Sequence, residues 1–589
     1  MYLETINGPQ DIKKLGNEQL PILAGEVRTA LIEKLSQTGG HVGSNLGVVE
    51  LTVALHRIFD SPRDKIIWDV SHQCYAHKIL TGRRQAFVDP DHFRDVTGFT
   101  NPHESEHDWF TVGHTATSIS MAMGMAAARD TQGGKENIIA VIGDGALGGG
   151  EAYEGLNTAG EYDSNLIIIL NDNDQSVAEN HGGLYRILRK LRESGGNSEQ
   201  NFFKGLDLDY RYLENGHDID ALTALFTDVK DIDHPIVLHI HTTKGKGLAY
   251  AEEDKENWHS GSPFRIEDGV PKNGYPVYDT TVYDSLVDLM KKDRRAIVLT
   301  AGTPRAMGFV GEDRAEWERK GRFIDVGIAE ENAMAMASGI ARGGGTAVFG
   351  VYAPFLQRAY DQVSHDLCLN NNHATILVLL PGAYGMKSNT HFGLCDIQML
   401  AHVPNLVYLA PSSKEEYLQM FRYATTQRRH PTAIRVPVRI IEDGAPDNTD
   451  YSRLDRFKVL SRGKGIALIA VGALIPIAKA TAQEYRKATG RDITLINPCF
   501  LSGIDKELLD ELKRDHSFVI TLEDGVLDGG FGERIASYYG PTKMRVKNLG
   551  ISKAFHSDFN AERLLAENGI SVERLLELIR CFDKGGDIA

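Results

Sequence analysis

Short apolar runs alternate along this chain with longer segments of helical period. Residues 138–142 (Ile-Ile-Ala-Val-Ile) and 166–170 (Leu-Ile-Ile-Ile-Leu) are uninterrupted, the pattern of strands buried on both faces of a parallel sheet. The segment between them has the length of a βαβ crossover, which makes the two strands parallel neighbours. Similar runs recur at 66–70 and 235–241, then at 296–300, 323–325, 347–352, 375–380 and 406–410, and again at 466–471 and 493–496. Residues 12–36 and 118–128 carry a helical period, and a helix follows 328–332 to about 341. The pattern predicts an α/β protein of three domains, each a mostly parallel sheet flanked by helices, at 1–265, 266–445 and 446–589. Residues 261–278 have the Pro and Gly content of a linker. Residues 179–216 turn polar and glycine-rich and are expected to be mobile.

Composition narrows the class of protein. Apolar residues make up 42% and charged ones 24%, ordinary values for a globular enzyme. The formal net charge of −16 argues against a nucleic-acid or anionic-membrane surface, though it permits a local basic pocket for a phosphorylated sugar. With no apolar run of membrane-spanning length and no signal-like start, neither a membrane span nor export is expected. The cysteines (Cys74, Cys368, Cys395, Cys499 and Cys581) form no Cys-x-x-Cys pair, which suits inert core positions in a reducing cytoplasm.

Candidate chemistry collects at strand ends, the edge at which open α/β sheets bind ligands. Asp144 follows one apolar run and Asn173 the next, placing two hard oxygen ligands suited to magnesium side by side. Gly148-Gly149-Gly150 opens the following helix, where N–H groups and the helix dipole favour phosphate oxygens. Together they point to a magnesium-bridged diphosphate. Three histidines lie beside such ends: His41 in the glycine-rich stretch 38–47, His72 after the 66–70 run, and His114 ahead of 118–128. Lys244, among glycines after 235–241, suits an anionic group. Glu330 and Glu331 at a helix start would by themselves be dipole complementation, and Phe355 alone an ordinary core ring.

Gly143-Asp144-Gly145-Ala146 with Asn171-Asp172-Asn173 resembles the thiamine-diphosphate signature of the transketolase superfamily. Thr38-Gly-Gly-His41-Val-Gly-Ser-Asn45-Leu-Gly, Trp68-Asp-Val-Ser-His72-Gln and Val112-Gly113-His114 carry a closer resemblance, over nearly the whole chain, to the 1-deoxy-D-xylulose-5-phosphate synthase family. The resemblance implies a transketolase-like fold: a diphosphate and Mg2+ domain, a pyrimidine-binding domain, and a C-terminal domain serving assembly. It implies Mg2+ held by Asp144, Asn173 and the carbonyl of Gln175. Thiamine diphosphate would be contacted by His72, Gly113, His114, Gly145, Ala146, Asn173 and Lys244, with Glu330 bonded to its aminopyrimidine and Phe355 stacked upon it. His259 would face the reactive carbon, and His41, His259 and His391 are candidates for proton transfer. Tyr352 and Arg358 fall in a matching segment, Arg358 offering a planar fork to carboxylate or phosphate. The implied reaction is the decarboxylating condensation of pyruvate with glyceraldehyde 3-phosphate on the isoprenoid route, by a homodimer. The family also has a longer insertion near 179–216.

The resemblance fails in one region. A family arginine that helps hold the aldehyde's phosphate is Leu380 here, and a nearby aspartate is Lys387. A second such arginine is Val438, with Arg439 one place on, a step that turns a strand side chain to the other face. Lys387 and Arg439 are the candidate replacements, and the acceptor is left open. A transketolase-type enzyme without carbon dioxide release, a pyruvate dehydrogenase-like component and a non-catalytic cofactor-binding homologue are the alternatives.

Overall fold

Among the residues described by the computed structural model, 1–274, 280–438, 446–557 and 559–585, the apolar runs form three sheets. The chain divides into two compact units, Met1–Val277 with Gly327–Ala329, and Tyr278–Val326 with Glu330–Ala589. Arg439 lies outside the described residues.

The first unit holds β1 (Lys65–Trp68), β2 (Ile138–Gly143), β3 (Leu166–Asp172), β4 (Asp209–Leu213) and β5 (Pro235–His241) in the order β1-β2-β3-β5-β4, every pairing parallel. Alternate residues of one strand enter different cores. Ile139, Val141, Ile167 and Ile169 pack on one face, Ile138, Ala140, Ile142, Leu166, Ile168 and Leu170 on the other. Burial on both faces is why these strands carry no polar alternation.

The second unit holds two sheets. β6 (Ala296–Thr300), β7 (Phe323–Asp325), β8 (Thr346–Tyr352), β9 (Thr375–Leu379), β10 (Val407–Leu409) and β11 (Thr432–Arg435) are all parallel, in the order β10-β11-β9-β8-β6-β7. β12 (Lys458–Ser461), β13 (Gly465–Ala470), β14 (Thr494–Asn497), β15 (His516–Val526) and β16 (Arg545–Ile551) follow the order β12-β14-β13-β15-β16, with only β12 antiparallel. Ala467, Ile469 and Val519 of the third sheet share a core with the second, while Ile466, Leu468 and Ile520 pack into a separate cluster.

One expectation is corrected, and the expected linker, whose end meets the boundary between the two units, is sharpened. The stretch 179–216 contains the helix Gly183–Glu193, which buries Leu184, Tyr185, Leu188 and Leu191, and then β4, so its first half is amphipathic and anchored. Its polar composition hid a helix whose apolar positions recur at the spacing of one face. The start of the expected linker is also anchored: Gly40 and Gly261 exchange N–H···O bonds of 2.9 Å, and the N–H of buried Phe264 donates to the Ser36 carbonyl. Gly39, at φ 71°, faces the Gly261 carbonyl so closely that a Cβ there would lie 2.5 Å from the oxygen. Among the described residues no helix is long and apolar enough to cross a membrane.

Candidate active site

The edge of the first sheet carries the expected anchor. Gly143 of β2 pairs in register with Asn171 of β3, so Asp144 and Asn173 leave neighbouring strands at the same edge. Asp144 is buried and accepts hydrogen bonds from the Gln175 N–H (3.1 Å) and the Asn180 amide (2.7 Å). Burial, followed by the charge of Asp172, pushes its carboxyl well above the ordinary range. Such a carboxylate is stably ionised only beside a cation. Asn173 is also buried, and among the described residues its Oδ1 accepts no hydrogen bond. A dry amide oxygen without a donor, next to a carboxylate that needs positive charge, fits the donor set of a magnesium ion. Gln175 belongs to the same turn through its N–H bond to Asp144.

The glycines play a different part from the expected phosphate cradle. The N–H groups of Gly148 and Gly149 donate to the carbonyls of Gly145 and Ala146 at 3.4 and 3.0 Å. A Cβ on Gly148 would sit 2.5 Å from the Tyr185 hydroxyl, and one on Gly149 2.6 Å from the Ala116 methyl. Close packing therefore accounts for these two residues. Gly145 and Ala146 are buried in the short helix Asp144–Leu147 beside the anchor.

Three of the histidines meet. The ring centroids of His41 and His72 are 5.1 Å apart, those of His72 and His259 5.2 Å, and those of His41 and His259 5.6 Å. Buried Lys244 approaches His259 Nδ1 at 3.1 Å and donates to the Ser176 carbonyl at 2.5 Å. Burial lowers the Lys244 ammonium to about 7, with Asp144 opposing the shift. Burial, reinforced by Lys244, lowers His41 to about 4 and His259 well below its usual value, so both imidazoles are neutral near pH 7. Gly113 and half-buried His114 lie on a loop fixed by Asp69, whose carboxylate oxygens accept from the N–H groups of Ala116 (2.9 Å) and Ser118 (3.0 Å).

Asn45 was passed over in the sequence. Fully buried, it donates to the carbonyls of His41 (2.7 Å) and His72 (2.8 Å) and accepts from the Tyr75 N–H (2.9 Å). One amide thus ties together the two backbones that aim these rings. Val70 and Ser71, just before His72, adopt φ of 58° and 66°. A β-branched residue held in that region costs about 1–3 kcal/mol and marks a turn whose direction matters. Asp69 and Asn180 were missed too; the only sequence signal was their place at strand ends or beside a motif.

The second unit carries its own set. Glu330 begins the helix Glu330–Arg342 and is buried. Among the described residues its Oε2 accepts no hydrogen bond, and Arg358 Nη1 stands 3.7 Å from it. Burial raises this carboxyl to about 7 against the pull of Arg358. Arg358, expected to face substrate, therefore also neutralises Glu330. Phe355 lies edge-to-face between Tyr352 (5.6 Å) and His391 (5.5 Å), and His391 Nδ1 is 3.0 Å from the Thr390 hydroxyl. Lys387 is exposed, and Leu380, the first residue after β9, has φ 49°. Arg435 is committed elsewhere: it is buried, with Nε 2.7 Å from Asp396 and Nη1 2.6 Å from Asp524.

A metal-suited sheet edge with neutral histidines in one unit, and a protonatable buried acid facing an arginine in the other, define a cofactor-dependent α/β enzyme. Family models describe the same class: "Transketolase, pyrimidine binding domain" matches residues 276–442 and "Transketolase, C-terminal domain" residues 455–575. The model described as 1-deoxy-D-xylulose-5-phosphate synthase matches residues 3–199. The chain is 38% identical to a 1-deoxy-D-xylulose-5-phosphate synthase of Shouchella clausii, with 98% of each chain covered. It is 36% identical to that of Clostridium beijerinckii, covering 98% of this chain and 99% of the relative. The chain belongs to the 1-deoxy-D-xylulose-5-phosphate synthase family.

Proposed function

We propose that the protein condenses pyruvate with D-glyceraldehyde 3-phosphate, releasing carbon dioxide and forming 1-deoxy-D-xylulose 5-phosphate, with thiamine diphosphate and Mg2+ as cofactors. The observation that carries the reading is the similarity to synthases of that name over 98% of both chains. Asp144, Asn173 and the Gln175 carbonyl would hold the metal; Lys244, His72, His114 and the Gly113 and Gly145–Ala146 backbone would hold the diphosphate. Phe355 supplies an aromatic face to the pyrimidine. The cofactor, when bound, accepts the electron pair left by decarboxylation.

The chain's own groups do the rest. Protonated Glu330, whose carboxyl burial raises to about 7, would donate a hydrogen bond to the ring nitrogen of the pyrimidine. His41 and His259, neutral at that pH, accept protons and return them to oxygen as charge develops. His391 serves the same end on the acceptor side, with Tyr352, Arg358, Lys387 and Arg439 as substrate contacts. We read the chain as three domains, 1–265, 266–445 and 446–589, assembled as a cytoplasmic homodimer.

One observation favours a second acceptor. With Leu380 at one expected phosphate position and exposed Lys387 at another, the pocket holds a phosphate less firmly. Carbon dioxide release from pyruvate, measured with phosphorylated and free aldehydes, tests both readings. Stimulation by glyceraldehyde 3-phosphate supports the synthase, stimulation by free aldehydes alone supports the second acceptor, and no stimulation by any aldehyde sinks both.

A further inference from the structure

We infer that Arg192 is a positioning residue for the metal-binding turn, clamping Asp172 and Asp174 on either side of Asn173. This rests on the assignment of Asp144, Asn173 and Gln175 to the metal. One guanidinium spans both carboxylates: Nη1 is 2.6 Å from Asp172 Oδ2, and Nη2 is 2.9 Å from Asp174 Oδ1. The turn is stitched from within as well. The Asp174 N–H donates to Asp172 Oδ1 at 3.1 Å, and the next N–H, of Gln175, donates to Asp144 at 3.1 Å. His239 Nε2, 2.8 Å from Asp172 Oδ2, completes that carboxylate's surroundings, and the Tyr210 hydroxyl lies 2.8 Å from His239 Nδ1. Asn173 is thus the central residue of a turn with a fixed partner on each flank.

The clamp starts from an unexpected place. Arg192 lies in the last turn of the helix Gly183–Glu193, within the stretch whose composition suggested mobility. The same helix reaches the other metal turn through Tyr185, whose hydroxyl is 3.4 Å from the Gly145 carbonyl and fills the space over Gly148. A single short helix therefore touches the turns on both sides of the proposed ion. Charge supports the geometry. Asp172 is wholly buried, and without Arg192 its negative charge would stand beside Asp144 with His239 and the Asp174 N–H as its partners and no cation to balance it among the described residues. The planar fork suits two carboxylates at once; a lysine ammonium is a single point charge on a flexible stem. Outer contacts of this kind orient metal ligands, and their loss typically weakens metal binding 10- to 100-fold.

The test uses the full chain and follows melting temperature, first without metal or cofactor, then with thiamine diphosphate at a fixed level while Mg2+ is varied. Arg192→Met is expected to raise the Mg2+ concentration for half-maximal stabilisation by about tenfold or more, with turnover recovering at high Mg2+. Arg192→Lys should shift it less. Asp174→Asn, at a carboxylate 42% exposed and so safe for folding, should raise it a few-fold. A variant pair that lowers the metal-free melting temperature yet leaves Mg2+ half-saturation unchanged makes Arg192 a structural ion pair and overturns the inference. Should Arg192→Met fail to fold, unchanged half-saturation in Asp174→Asn overturns it alone. If the wild type shows no Mg2+-dependent shift, or Asp144→Ala retains one, the ligand assignment falls and the inference with it.

Discussion

The anchor on the first sheet and the acceptor segment after β9 are both built at the ends of parallel strands, yet they are determined to very different degrees. At the anchor, the positions of His41, His72 and the 112–118 loop are fixed by a buried amide or carboxylate that spends its hydrogen bonds on backbone groups, and Asp144 is held by the Gln175 N–H and the Asn180 amide. After β9, Leu380 is apolar, Lys387 reaches solvent, and the buried arginine of β11 is locked between Asp396 and Asp524. A preorganised site costs little to bind a constant cofactor. A site with few fixed charges leaves the choice of acceptor to a handful of side chains.

The comparison breaks most sharply at Glu330. Glu330→Gln keeps the volume but cannot transfer a proton, and turnover is expected to fall by about 10²–10⁴ while the Mg2+-dependent thermal shift from the first unit persists. A variant with near-normal turnover would remove the acid from the mechanism. Asn45→Ala comes next. It leaves the buried His41 and His72 carbonyls and the Tyr75 N–H without their partner, costing about 1–3 kcal/mol of stability, and it loosens two histidines together. Chemical denaturation should show that loss, with a fall in turnover larger than a change in cofactor affinity. Unchanged turnover would make Asn45 a fold residue only.

The pH profile separates the regions by charge. On the proposed roles, the acid limb of kcat/KM is expected from His41, which must lose its proton and does so at about 4, and the alkaline limb from Glu330, which loses its proton as pH rises through about 7. Arg358 pulls the Glu330 value down, so Arg358→Met should move the alkaline limb upward and leave the acid limb in place. A downward move would show that Arg358 does not face Glu330 in the working enzyme. The same burial makes the folded protein bind a proton that the unfolded chain releases near its ordinary 4.5, so Glu330 destabilises the fold progressively as pH rises from there to about 7.

The two regions were also unequally legible. Strands buried on both faces announced themselves as unbroken apolar runs, so β2, β3 and β5 were found and their ends located the anchor. β4, with the alternation Asp-Tyr-Arg-Tyr-Leu, and β16, half-buried along most of its length, are edge strands whose polar faces conceal them. Motif residues such as His41 and Lys244 could be named, whereas Asn45 and Asp69 act through backbone groups and Asn180 through the Asp144 carboxylate, roles that residue type and spacing do not reveal. The helix Gly183–Glu193 was missed because its charged face dominates the composition and its four buried residues lie on one side.

Leu380→Arg gives the smallest and most specific effect. Leu380 already occupies a left-handed conformation at φ 49°, and an unbranched arginine bears that strain about as well as leucine, so little loss of stability is expected. A guanidinium able to reach the acceptor's phosphate would add a charge-assisted hydrogen bond of about 1.5–3 kcal/mol, of which solvent and side-chain ordering remove part. KM for glyceraldehyde 3-phosphate should then fall roughly tenfold, KM for free aldehydes should stay put, and kcat should hardly move, since the bond is made equally in ground and transition states. Lys387→Ala in the wild-type background should raise the same KM by a smaller factor, its ammonium being exposed. If Leu380→Arg improves neither acceptor while Lys387→Ala abolishes turnover with the phosphorylated one, the exposed lysine carries recognition by itself, and the acceptor segment is as firmly determined as the anchor.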